Sequence, residues 1–138
     1  GDSSANFISY YDGSISYEDK YEENRFNTKE KLNYISKQSL ELKKYQFDKK
    51  KFDDFISILN TQSEKVNHIT LYITPVPSVI FKEYHQLFNK INTELKNKLK
   101  QFNNVSVVGD FNPDLYSISN EEFMDAYHIY KSGLKKIW

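Results

Sequence analysis

Residues 68–108 constrain the fold of this chain more than any other stretch. His68-Ile69-Thr70-Leu71-Tyr72-Ile73-Thr74 is dense in β-branched and aromatic residues and is stopped by Pro75 and Pro77, so it reads as a strand with an extended exit. From Ser78 to Phe102, residues Phe81, Tyr84, Phe88, Ile91, Leu95, Leu99 and Phe102 recur at helical spacing, with Lys, Asn and Glu on the other face. The spacing predicts one long helix that covers a sheet on one side and faces water on the other. Val105 to Val108 is short and nearly all apolar, as expected for a strand buried on both faces. A strand, a crossover helix and a second strand make a right-handed parallel unit, so the chain reads as α/β.

The flanking segments are less regular. Asn6 to Tyr17 carries the pair Asp12-Gly13 between β-prone runs, which predicts a hairpin. Glu18 to Phe26 is charged and aromatic and reads as a surface connection. Asn27 followed by Glu30 resembles a capping box for a helix from Thr28 to about Tyr45, on which Leu32, Ile35 and Leu42 share a face. A second helix should start near Asp48, with Phe52, Phe55, Ile56 and Leu59 as its buried stripe. A short final helix is expected from about Lys131 to Trp138. No Gly-rich phosphate loop follows either strand, so nucleotide binding of the usual α/β kind has no support.

Composition removes several function classes. The 138 residues are 38% hydrophobic and 16% aromatic, enough for one folded domain or part of one. Nineteen basic residues balance nineteen acidic ones, which leaves no global electrostatic drive toward nucleic acid or an anionic membrane. The absence of cysteine excludes disulfides, thiolate metal sites and thiol catalysis. Three isolated histidines without paired carboxylates at ligand spacing argue against a metal site, and no cofactor is expected. Neither a signal peptide nor a membrane span lies within these residues.

One segment carries chemistry. In Asp125-Ala126-Tyr127-His128 a carboxylate stands three residues before an imidazole, in the region after the second strand. A serine hydroxyl is a poor nucleophile until a neutral imidazole takes its proton, and the imidazole needs a partner to fix its tautomer and stabilise the imidazolium. Asp125 and His128 are thus candidate catalytic residues, the base half of a hydrolytic triad. The same spacing also suits a capped loop with a structurally satisfied imidazole. His68 opens a strand and reads as structural, and His85 reads as a surface residue on the long helix. Asp110 and Asp114, near Pro113, read as turn formers. Because groups collect beyond the carboxyl ends of parallel strands, the loop after Thr74 and the loop holding Asp125 and His128 should share one rim.

The order of these features resembles the C-terminal half of SGNH (GDSL-like) hydrolases, in the branch with DltD-like and alginate-acetylation-like proteins. The resemblance covers roughly Phe52 to Trp138 and rests on the strand ending in Thr74-Pro75-Val76-Pro77, the long helix with its mid-helix Asn and the short strand. It rests equally on Phe123-Met124-Asp125-Ala126-Tyr127-His128 and on Gly133 followed by an apolar helix. It implies a three-layer, parallel-sheet fold of flavodoxin-like type, here a partial domain with an N-terminal hairpin. Asp125 would orient His128, and His128 would act as general base and then general acid toward a serine near the start of the family's domain. The implied activity is that of a serine esterase or acyltransferase working on acyl esters of a cell-surface polymer, with an acylated carbohydrate or cell-envelope polymer as partner and no nucleic acid. The implied location is extracytoplasmic, through a membrane anchor upstream.

Two departures shape the expectation. Ser3 follows Gly1-Asp2 with no strand before it, and Asn27 to Leu59 reads as two helices where the family places an oxyanion-hole strand. Ser3 is therefore not expected to be the nucleophile, and the chain is expected to be a C-terminal portion. The alternative is a non-catalytic α/β interaction domain that keeps the fold without the chemistry. A truncated sheet would leave an edge at His68 to Thr74, to be covered by the hairpin or paired in a homodimer.

Overall fold

The computed structural model describes residues 28–138 and, as backbone, two short strands, β1 (Phe7–Ser9) and β2 (Ile15–Tyr17). These pair antiparallel, with Phe7 opposite Tyr17. The Asp12-Gly13 turn, the connection 18–26 and the Asn27 cap lie outside the described residues. The remaining elements run α1 (Thr28–Gln38), α2 (Lys49–Ser63), β3 (Ile69–Ile73), α3 (Ser78–Glu83), α4 (His85–Leu99), β4 (Val105–Gly109) and α5 (Lys131–Leu134). Single 3-10 segments span Ser39–Lys44, Pro113–Tyr116 and Asn120–Glu122. The protein is mixed α/β around a small parallel sheet.

β3 and β4 pair in parallel from Ile69 opposite Val105 to Ile73 opposite Gly109. Alternation puts Ile69, Leu71, Ile73 and Val105 on one face, where they pack with Phe102 and Leu99 on Ile56 and Leu59 of α2 and Leu95 of α4. On the other face Tyr72 stacks on Trp138, with ring centroids 5.3 Å apart and planes 16° from parallel. β4 is half-buried along its whole length, so the expectation of a strand enclosed on both faces is not met. Among the described residues β3 is hydrogen-bonded along one edge only, to β4.

Helix boundaries follow local chemistry. Asp48 caps α2 by accepting from the Lys51 N–H at 3.0 Å, as its position before the apolar stripe suggests. Ile56 and Leu59 are buried, but Phe55 is 41% exposed and falls outside the stripe assigned to it. The helix expected to reach Tyr45 ends as α-helix at Gln38 and continues as a 3-10 segment. There the fully buried Ser39 donates its hydroxyl to the Ser36 carbonyl at 2.8 Å, one turn back. The single helix expected over 78–102 is two, broken at Tyr84 (φ −111°, ψ 28°). His85 Nδ1 lies 3.1 Å from the Lys82 carbonyl, an acceptor that backbone N–H groups would otherwise compete for at this turn. The last α-helix is a single turn, Lys131–Leu134, with further turns carrying the chain to Trp138.

Past the carboxyl ends of the strands the chain segments stay together. The Val76 N–H donates to the Phe111 carbonyl at 3.1 Å. Ile35 of α1, Ile80 of α3, Phe88 of α4 and Ala126 form a buried cluster, against which Val76, Val79, Tyr84 and Phe111 pack. Ala126 therefore belongs to the cluster on which the residues following both strands pack. A second cluster of Ile118, Phe123 and Ile129, with Tyr116, Leu134 and Ile137, holds the C-terminal region.

Candidate active site

Residues 122–130 form a narrow loop. Phe123 and Ile129 make an antiparallel bridge, the Tyr130 N–H donates to the Glu122 carbonyl at 2.7 Å, and the Met124 N–H donates to the His128 carbonyl at 2.8 Å. Buried Phe123 and Ile129 anchor both arms, while Tyr127 and His128 stand at the exposed tip. Tyr127 and His128 are the two exposed residues of this loop, set between buried Ala126 and buried Ile129.

Asp125 organises the tip. Its Oδ1 accepts from the backbone N–H groups of Tyr127 and His128, each at 2.8 Å. His128 Nδ1 lies 2.9 Å from Oδ1 and 2.8 Å from Oδ2 of the same carboxylate. A carboxylate can only accept, so in the neutral imidazole this contact makes Nδ1 the N–H. The carboxylate side chain is 17% exposed and the imidazole 53%. The Asp125 carboxylate is thus held by backbone amides while the imidazole beside it is half exposed.

The loop is fixed to the rest of the fold by groups far away in sequence. The Ala126 N–H donates to Gln38 Oε1 at 3.0 Å, and the Tyr127 hydroxyl donates to the Gln38 carbonyl at 3.1 Å. Lys31 Nζ reaches the Glu121 carbonyl at 3.5 Å and lies 5.4 Å from the centre of the Tyr130 ring. Loss of water around the Tyr127 phenol raises its pKa, with further contributions from Glu41, Tyr45, Asp125 and Tyr84. At the base of the loop, Glu122 Oε2 accepts from the Ser119 N–H and from Lys136 Nζ, both at 2.9 Å.

Of the residues singled out in the sequence, the structure brings together Asp125 and His128. His68 Nε2 is 2.9 Å from Ser106 Oγ across the paired strands, and His85 contacts the Lys82 carbonyl. Asp110 accepts the Asn112 N–H at 2.8 Å, and Asn112 in turn accepts the Asp114 N–H at 3.0 Å, both short-range turn contacts. Ser3 lies outside the described residues. Among the described residues no group of three or more His, Cys, Asp or Glu is placed to hold a metal ion.

Sequence reading missed Gln38. Its spacing to Ala126 is set by tertiary packing, and no local pattern around Gln38 marks it as a loop anchor. It also missed a cleft of about 610 Å³ at the break between α3 and α4, whose lining includes Tyr45, Phe47, Tyr84 and His85. Tyr84 links that cleft to the cluster around Ala126, but Asp125 and His128 are not part of its wall.

No helix among the described residues is long and apolar enough to cross a membrane. The chain matches no protein-family model, no curated protein and no solved structure.

Proposed function

We propose that this chain supplies the base half of an SGNH-like serine esterase or acyltransferase. The observation that carries this reading is the contact of His128 Nδ1 with the Asp125 carboxylate at 2.8 Å, on an imidazole that is half exposed. In the proposed reaction His128 Nε2 takes the proton of a serine hydroxyl as the oxygen attacks the acyl carbonyl. Asp125 stabilises the imidazolium that results. The same proton then passes to the leaving alkoxide as the ester C–O bond breaks, which leaves the acyl group on serine and neutral His128 ready for the second half. Water or a sugar hydroxyl then attacks the acyl-serine as His128 takes its proton. The bond to the serine oxygen breaks and that oxygen recovers the proton from His128, releasing the acyl group as acid or as a new ester.

In this reading the β3–β4 pair belongs to a parallel sheet of three-layer, flavodoxin-like type. The substrate is an acyl ester of a carbohydrate or cell-envelope polymer, met outside the cytoplasm. Substrate and location are supported by the sequence resemblance to the DltD-like branch. That Ala126 shares the cluster on which Val76 and Phe111 pack supports the placement of the pair at the exit end of the strands, where such sites are built.

The test is covalent labelling of the protein, expressed at the length its gene encodes, with a fluorophosphonate probe that reacts with activated serines. One labelled serine in the wild type and none in His128→Ala supports the proposal. Absence of labelling in the wild type, or equal labelling in both, overturns it and favours a non-catalytic α/β interaction domain.

A further inference from the structure

The dyad loop is short, carries its functional side chains at an exposed tip, and needs something rigid to hold that tip. Ala126 lies between the two candidate residues and is fully buried. Its N–H therefore has little access to water and depends on a protein acceptor. That acceptor is Gln38 Oε1 at 3.0 Å, on the last residue of α1 and 88 residues away in sequence. The backbone carbonyl of the same residue accepts from the Tyr127 hydroxyl at 3.1 Å. The Gln38 side chain is itself held, because its Nε2 donates to the Tyr34 hydroxyl at 3.2 Å one turn back on α1. Ile35, between Tyr34 and Gln38, is fully buried against Ala126 and Ile80 and fixes this end of α1 against the loop.

We propose that Gln38 is a positioning residue for His128, one that sets the orientation of the imidazole by holding the Ala126 peptide. The inference rests on the reading of Asp125 and His128 as a catalytic pair. Asp125 Oδ1 can meet the Tyr127 and His128 amides and His128 Nδ1 together only while the peptide between Asp125 and Tyr127 keeps its plane. Without an acceptor at position 38, the Ala126 N–H must rotate toward water. That rotation turns the peptide and carries the Asp125 carboxylate with it. The imidazole then loses the partner that fixes its tautomer. Gln38 touches no reacting atom in this scheme and acts through the loop.

Two measurements test the proposal on the folded protein. In the wild type, the Ala126 amide should be among the slowly exchanging amides of the loop, and exchange at the rate of an open chain overturns the inference. Nitrogen-15 spectra of the neutral His128 ring report which nitrogen carries the proton. The wild type should show the Nδ1–H form. Asp125→Ala should release the ring to the tautomer mixture of free imidazole. Gln38→Leu should do so in part, while Gln38→Glu, which keeps an acceptor oxygen, should restore the Nδ1–H form. In an Asp125→Ala background, Gln38→Leu should have no further effect on the ring, because its action runs through Asp125. A Gln38→Leu protein with the wild-type tautomer, or an effect of the same size without Asp125, overturns the positioning role. If instead Asp125→Ala leaves the ring unchanged, the pairing of Asp125 with His128 fails, a result separate from any failure at Gln38. In an active protein Gln38→Leu should lower kcat roughly 10- to 100-fold with KM nearly unchanged.

Discussion

The ammonium of Lys136 lies 2.9 Å from Glu122 Oε2, at the base of the loop that carries Asp125 and His128. The carboxylate side chain is 9% exposed and the lysine 41%, so a nearly buried charge is neutralised from a half-open position. Lys136 Nζ also donates to the Ser117 carbonyl at 2.9 Å, tying three stretches of the C-terminal region together. Lys136→Met should keep the apolar stem while leaving Glu122 with the Ser119 N–H as its remaining described donor. The expected loss is about 1–2 kcal/mol, below that of a fully buried pair because one partner is wet. Urea denaturation checks this, and the double variant Glu122→Gln with Lys136→Met should recover part of the loss.

Gly109 closes β4 with φ +91°, and a Cβ there would overlap the Ile73 carbonyl oxygen. Both the backbone conformation and the close approach of the two strand ends therefore require glycine. Gly109→Ala should cost roughly 3 kcal/mol or more and separate the exits of β3 and β4. A midpoint of denaturation within experimental error of the wild type would show that the strand ends can part at no cost.

The Tyr72 phenol is pushed above its ordinary pKa, first by burial and then by Tyr116. Its hydroxyl is enclosed without a hydrogen-bond partner. A pKa raised on folding means that the unfolded chain ionises first. The stability tied to Tyr72 is thus fully present below about pH 10, the ordinary tyrosine value, and is lost as pH rises through the folded-state value. Tyr72→Phe keeps the stack on Trp138 and removes an unpaired polar group. It should be neutral or slightly stabilising at pH 7 and should flatten the loss of stability above about pH 10. Thermal melts across that range measure both effects.

The parts of the fold legible in the sequence are those governed by short-range rules. β-branched density and the prolines marked β3, an acidic cap marked the start of α2, and the apolar run at Val105 marked β4. The Asp125–His128 contact was legible for the same reason, since three residues of a tight loop suffice to form it. What escaped depends on competition within a helix or on contacts across the chain. The break at Tyr84 goes with a side chain reaching a backbone carbonyl, in a stretch whose apolar spacing is helical throughout. The half-buried state of β4 depends on how many elements cover the sheet, which no feature of Val105 to Gly109 encodes. Gln38 acquires its role from an 88-residue separation that only folding closes.

In the proposed mechanism Asp125 and His128 act together as a base toward a serine. Hydrolysis of a simple acetyl ester by the protein at the length its gene encodes, compared with His128→Ala, Asp125→Ala and the double variant, tests this. Each single variant should lose kcat/KM by a factor on the order of 10⁴, and the double variant should be little worse than either. Turnover that survives in His128→Ala, or losses that multiply in the double variant, would contradict it.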